Sequence, residues 1–142
     1  MEPDGWAVAG LPANFHADPR PVTVSGTLLD LPAEVRFTPT RFTWDYGDDT
    51  SRTTSTAGTS WQRLQQAEFT ATPTSHTYRK PATVNVRLEI GYHVEYRLDG
   101  GRFVPIAGTL TRTAPPTTVT IVRADTVLVD RDCRRTPTGP GC

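Results

Sequence analysis

A chain of 142 residues has the length of a single domain and can bury most of the surface its unfolded form would expose. Fifteen Lys and Arg balance fifteen Asp and Glu, which leaves no electrostatic footprint for nucleic acid or an anionic membrane. No run approaches the ~20 apolar residues of a membrane span, and thirteen Pro and eleven Gly, with no sustained helical period, point to an all-β domain with frequent turns.

The opening, Met1-Glu2-Pro3-Asp4, is acidic and leads into no apolar stretch, so it is not read as a signal peptide. The chain is then either cytoplasmic or a mature fragment carrying an added methionine, and residues 1–10 read as an approach segment. The first strand signal is Val22-Thr23-Val24, after Pro19 and Pro21. Thr27 to Leu29 and Ala33 to Phe37 read as a hairpin around Asp30-Leu31-Pro32. Phe42, Trp44 and Tyr46 alternate inward over the next strand. The apolar parity changes between Phe37 and Phe42, with Pro39 between them, so a kink or bulge there resets the inward face. Ser51 to Ser60, rich in Thr, Ser and Gly, reads as a loop or a weak edge strand. Trp61 to Ala67 is the one stretch with a helical pattern, and Ser60 is its N-cap.

The strongest periodic signal follows. Val84, Val86, Leu88, Ile90, Tyr92, Val94, Tyr96 and Leu98 occupy one parity, and polar residues with Gly91 occupy the other. At ~3.3 Å per residue an unbroken strand of that length would be about 50 Å long, far beyond the usual five or six residues. Either it bends at Gly91, or its second half projects with residues 102–112 as a two-stranded ribbon beyond the Asp99-Gly100-Gly101 turn. A projecting ribbon would set Tyr92, Val94, Tyr96 and Leu98 outside the core. That face is expected to be covered, either by segments near Trp6 or Trp61 or by a partner. Val119 to Val129 reads as the last strand.

Two motifs organise the middle of the chain. Trp44-Asp45-Tyr46-Gly47-Asp48-Asp49-Thr50 is a strand running into a tight acidic turn, and Ser75-His76-Thr77-Tyr78 is a polar corner before the long strand. In this order they resemble the PKD domain, whose strand-turn is close to W-D-F-G-D-G and whose later corner is close to H-x-Y. Asp49 stands where that family has glycine, and Lys80-Pro81-Ala82-Thr83 replaces its common glycine-containing turn. The resemblance implies an immunoglobulin-like β-sandwich over residues 11–131, and the extended β-hairpin near residues 92–112 is longer than a minimal PKD domain needs. It implies a non-catalytic extracellular module, a spacer or adhesion unit of a larger secreted or surface bacterial protein, with no cofactor. Trp44 would anchor the core, Gly47 would supply a backbone angle other residues tolerate poorly, and Tyr78 would form a tyrosine corner held by His76.

Other chemistry is weighed on the same residues. Asp45, Asp48 and Asp49 form an acidic cluster that could take calcium, although calcium needs six to eight oxygens and the spacing is not that of an EF-hand. There is no G-x-S-x-G or H-E-x-x-H, and His16 and His93 are isolated. Trp6, Trp61, Tyr92 and Tyr96 are aromatics the core motifs do not claim. Trp61, Tyr92 and Tyr96 are the candidate interaction face for a protein or glycan, and the competing expectation is that Trp61 plugs an open edge of the sandwich. A carbohydrate-binding accessory domain and a virion or pilus decoration domain are the alternatives to a spacer. Both cysteines, Cys133 and Cys142, lie at the end, around a segment with two Pro and two Gly. Residues 132–142 are expected to be a tail closed by their disulfide, worth about 2–3 kcal/mol, with two free thiols as the alternative. The pair favours the mature extracellular fragment over the cytoplasmic reading.

Overall fold

The structure is a computed structural model that describes residues 1–124. In chain order its elements are β1 (Trp6–Val8), β2 (Pro12–Asn14), β3 (Val22–Leu28), β4 (Leu31–Asp45), β5 (Ser51–Thr54), α1 (Trp61–Leu64), β6 (Ser75–Thr77), β7 (Ala82–Leu98), β8 (Val104–Pro105), β9 (Leu110–Thr113) and β10 (Thr117–Val122). The result is an all-β sandwich. Cys133, Cys142 and the expected tail, like the second half of the expected last strand, lie outside the described residues.

β4 and β7 pair antiparallel from Ala33 opposite Leu98 to Asp45 opposite Arg87. The free edge of β4 takes β3 along its first half and β5 along its second. The free edge of β7 takes β10, β9 and β8 in turn, and β10 pairs in parallel with β1. Residues 1–10, read as an approach, thus contribute a strand to the main sheet. The other layer is the two-stranded sheet β2–β6 with the Phe15 side chain that follows it.

The register between β4 and β7 shifts between Pro39 and Arg41. One extra residue there moves Phe42 and Trp44 onto the face that Val35 and Phe37 occupy in the first half, which accounts for the parity change in the sequence. β7 keeps one parity throughout, so Val86, Leu88, Ile90, Tyr92, Val94 and Tyr96 share one face. Gly91 lies where β4 and the loop before β9 come closest: a Cβ there would sit 3.2 Å from Arg41 Cβ and 3.3 Å from Thr109 Cγ2.

Among the described residues only the half of the sheet nearest β2 and β6 is covered. There Phe42, Trp44, Tyr46, Val86, Leu88, Val119 and Ile121 pack with Ala13, Phe15 and Tyr78 as one buried cluster. The Phe15 ring stands 6.0 Å from Trp44 and 5.3 Å from Tyr46, centroid to centroid, and so joins the two layers. The other half projects. It is not the expected two-stranded ribbon, because β3 and the first half of β4 extend it to the order β8-β7-β4-β3. A two-stranded ribbon has too little to pack against in water, and added strands are the usual remedy.

The β3–β4 turn is Leu29-Asp30, both with positive φ (52° and 64°), one residue earlier than the turn expected around Asp30-Leu31-Pro32. Two left-handed residues make the tight turn that matches strand twist. Register decides the position. It places Val22 opposite Phe37 and Val24 opposite Val35, with their apolar side chains on one face.

Candidate functional site

The acidic turn is built by its own side chains. β4 ends at Asp45, whose Oδ1 accepts the Gly47 N–H at 2.9 Å, and the Tyr46 N–H donates to the Thr50 carbonyl at 3.0 Å. Gly47 has φ +74°, and a Cβ there would meet the Asn85 carbonyl at 2.8 Å, so the turn lies against the start of β7. Asp48 accepts the Thr50 hydroxyl at 2.5 Å through Oδ1, while its Oδ2 is 2.7 Å from His76 Nε2. The His76 ring stacks on Tyr46 at 4.1 Å and meets the edge of Tyr78 at 4.6 Å. The Tyr78 hydroxyl donates to the Tyr46 carbonyl at 3.0 Å, which closes the corner onto the strand that carries Trp44. Burial, with smaller contributions from Asp48, Tyr46 and Asp45, holds the Tyr78 phenol well above its ordinary value, so it stays a donor at all ordinary pH.

Burial pushes the Asp48 carboxyl up, but hydrogen bonds from Thr50 and His76 and the attraction of His76 outweigh it and leave Asp48 below the ordinary carboxylate value. The sign of the pH effect follows. Stabilisation from this group is complete above the unfolded value, near pH ~4, and is lost as the pH falls through the lower folded value. The melting temperature followed from about pH 6 to about pH 2 is expected to show an acid limb that Asp48→Asn flattens. A limb of unchanged steepness in the variant would place its source elsewhere.

The three carboxylates of the turn do not converge on a cation. The second oxygen of Asp45 lies 3.9 Å from Arg87 Nη1, Asp48 is held as above, and Asp49 occupies a left-handed position with φ +63° and is exposed. Among the described residues no group of three or more His, Cys, Asp or Glu is placed to hold a metal ion. A cavity of about 500 Å³ opens beside the corner, lined by Asp48, Thr50, His76, Tyr78, Lys80 and Ile121 among others. Among the described residues no Ser, Thr or Cys side chain hydrogen-bonds His76.

Trp61 does not belong to an interaction face. It is 3% exposed, its Nε1 donates to the Thr70 carbonyl at 2.8 Å, and its ring packs on Phe69, 5.7 Å away, which also carries Trp6 at 6.3 Å. Both tryptophans pack around Phe69 and away from the ribbon, so of the two covers weighed for its face, chain segments near Trp6 or Trp61 or else a partner, the first does not form among the described residues. A polar cluster that the sequence did not announce ties this end together. Glu2 Oε2 accepts from Asn14 Nδ2 at 2.7 Å and from the Trp61 N–H at 2.8 Å, while the buried Asn14 also donates to the Thr59 carbonyl and accepts from Thr72. An interior Asn is tolerated because its donors and acceptor are used.

Tyr92 and Tyr96 do lie on the ribbon, on its apolar face. That face carries Val22, Val24 and Leu28 of β3, Leu31, Ala33, Val35 and Phe37 of β4, and Tyr92, Val94 and Tyr96 of β7. Ile106 joins it, because its N–H donates to the Val94 carbonyl at 2.8 Å and continues the pairing of β8. Two apolar grooves flank Ile106. One of about 480 Å³ runs toward the tip between Val24, Val35 and Tyr96, and one of about 380 Å³ lies at the base between Phe37, Val94 and Leu110. The opposite face is polar and self-satisfied. Arg36 donates to Glu95 at 2.7 Å, Arg97 donates to Glu34, and both guanidinium groups lie over the Phe103 ring, at 3.9 and 4.8 Å from its centre. Among the described residues no helix is long and apolar enough to cross a membrane. No family model, curated protein or solved structure matches the chain.

Proposed function

We propose that the chain is a non-catalytic, immunoglobulin-like module of the PKD type, a spacer or an adhesion and protein-interaction unit of a larger secreted or surface bacterial protein. The observation that carries this reading is the closure of the two motifs on each other. Asp45, Asp48, His76 and Tyr78 each bond within the fold, and the His76 ring has Tyr46 on one face and Tyr78 at its side. A Ser–His type of base needs a nucleophilic side chain beside it; His76 Nε2 instead faces a carboxylate already shared with Thr50. The β4–β7 pairing from Arg87 to Leu98, about 40 Å long at ~3.3 Å per residue, suits a rigid extension, and the apolar ribbon face supplies an interaction surface. The expected Cys133–Cys142 bridge accords with an oxidising compartment.

The carbohydrate reading loses one of its aromatic platforms, since the Trp61 ring is buried, while Trp6 is 41% exposed. Glycan-array binding of the 142-residue chain tests the choice. A spacer or protein-binding unit gives no glycan signal. A glycan-specific signal lost in Trp6→Ala would replace this reading with a carbohydrate-binding one.

A further inference from the structure

We infer that two copies of this chain associate through the apolar faces of their ribbons, packed face to face and antiparallel, so that the leucine tip of each lies over the basal groove of the other. The inference rests on the interaction-unit reading and names its partner. It starts from a misfit. Leu29 is 86% exposed and adopts φ +52° in the β3–β4 turn, a position that favours Asn or Gly. Leu28 and Leu31 beside it are about half exposed (50% and 44%). A leucine at that site strains the backbone and exposes an apolar side chain to water, so neither folding nor solubility explains it.

The face behind the tip is uncovered as well. Val22 and Val24 are each 53% exposed, Val104 45%, Ile106 43% and Leu110 51%. The described chain offers no cover, because Trp6 and Trp61 sit around Phe69.

Three observations select a second copy. First, the β3, β4 and β7 positions of this face carry no charged side chain: Glu34, Arg36, Glu95 and Arg97 all lie on the opposite face, paired with each other. An uncharged face is best matched by another uncharged face, and the chain's own is one. Second, the shape is self-complementary when reversed. The protruding Leu28-Leu29 is at the tip, and the groove between Phe37, Val94, Ile106 and Leu110 is at the base. A two-fold axis in the plane between the sheets places each tip over the other base. The charges agree with that direction. The tip carries Asp30 and Asp99 against Arg102, and the base carries Arg112 on the same face as Leu110. Third, the area is adequate. Leu31 to Pro39 spans about 30 Å and four strands span about 19 Å, so roughly 500 Å² per copy and about 1,000 Å² in total are buried. This is the lower bound for a specific interface and marks a weak, concentration-dependent dimer. Edge-to-edge pairing through β3 is the other geometry open to two copies. It would leave both apolar faces uncovered on the same side and double the patch, so the face-to-face arrangement is the one assigned.

Sedimentation equilibrium of the 142-residue chain from about 1 μM to about 1 mM covers the affinities such an area supports. The mass is expected to rise from one chain to two across that range. Val24→Asp puts a charge at the centre of the face and is expected to weaken association at least tenfold. Leu29→Asn is the sharper variant. Asn suits the left-handed turn, so the melting temperature is expected to hold or rise while association weakens at least tenfold. A chain that stays monomeric throughout overturns the inference, as does dimerisation unchanged in both variants. A monomer that instead floats with neutral phosphatidylcholine vesicles, and loses this in Leu29→Asn, overturns self-association and assigns the tip to a lipid surface. Each of these failures leaves the non-catalytic module reading to its own test on glycans.

Discussion

Replacing Trp44 with alanine is expected to lower the unfolding free energy by about 4 kcal/mol. The side chain is 4% exposed and sits where the two layers meet, against Phe15 from one and beside Val86 and Leu88 of the other. Truncation removes both the buried area and the contact that lets Phe15 bridge the layers, and the rigid β4–β7 pair cannot collapse into the space. Trp44 has a second peculiarity: its Nε1 is buried without a hydrogen-bond partner. An unpaired donor in the interior costs about 1–3 kcal/mol. Trp44→Phe, which keeps a ring and drops that donor, is therefore expected to recover at least half of the loss. Denaturant unfolding measures both. A loss under about 1.5 kcal/mol for alanine would show that Trp44 does not anchor the core.

Gly58→Ala is expected to cost about 3 kcal/mol, a large effect for a single methyl group in a loop. The residue has φ +74°, and a Cβ there would lie 2.4 Å from Thr74 Oγ1 and 2.5 Å from the Phe15 carbonyl. Thr74 is fully buried, and the Phe15 backbone is fixed by the ring between Trp44 and Tyr46, so neither neighbour can yield. Gly10→Ala provides the comparison. Its φ is +88° but nothing lies within 4 Å of a Cβ, so only the backbone strain remains, about 1 kcal/mol. Equal losses in the two variants would remove the steric part of the argument.

The two residues differ in how visible they are in the sequence. Trp44 announces itself through strict alternation with Phe42 and Tyr46, and the period-two run from Val84 to Leu98 marks its partner strand; patterns of this kind report which side of a strand faces inward. The parity change near Pro39 likewise reads as a bulge, since pairing register is a local property of the pattern. Gly58 lies in a Ser/Thr-rich stretch that reads only as a loop, because its constraint comes from Phe15 and Thr74, each 16 or more residues away. Asn14, Glu2 and Thr72 are hidden for the same reason: nothing in a polar residue's own neighbourhood says it will be buried with a partner. The internal cover for the ribbon, one of the two alternatives, is hidden in the same way. Alternation identifies an apolar face but not what stands opposite it, and Trp6 and Trp61 were instead claimed by Phe69. Leu29 was legible in principle, since its left-handed turn position follows once Val22 is set opposite Phe37, but that register becomes visible only when both strands are in place.

The parallel pairing of β1 with β10 has a mechanical meaning. Trp6 lies opposite Thr120 and Val8 opposite Val122, and the Ala9 N–H reaches the Val122 carbonyl at 2.8 Å. A pull applied between Trp6 and Val122 therefore slides the two strands along each other, and the bonds between them are strained together. Antiparallel strands pulled from one end would instead peel apart bond by bond. The pair resists tension in shear and must rupture as a unit before the Phe15–Trp44 core is loaded, so its lifetime under load is set by an unfolding rate.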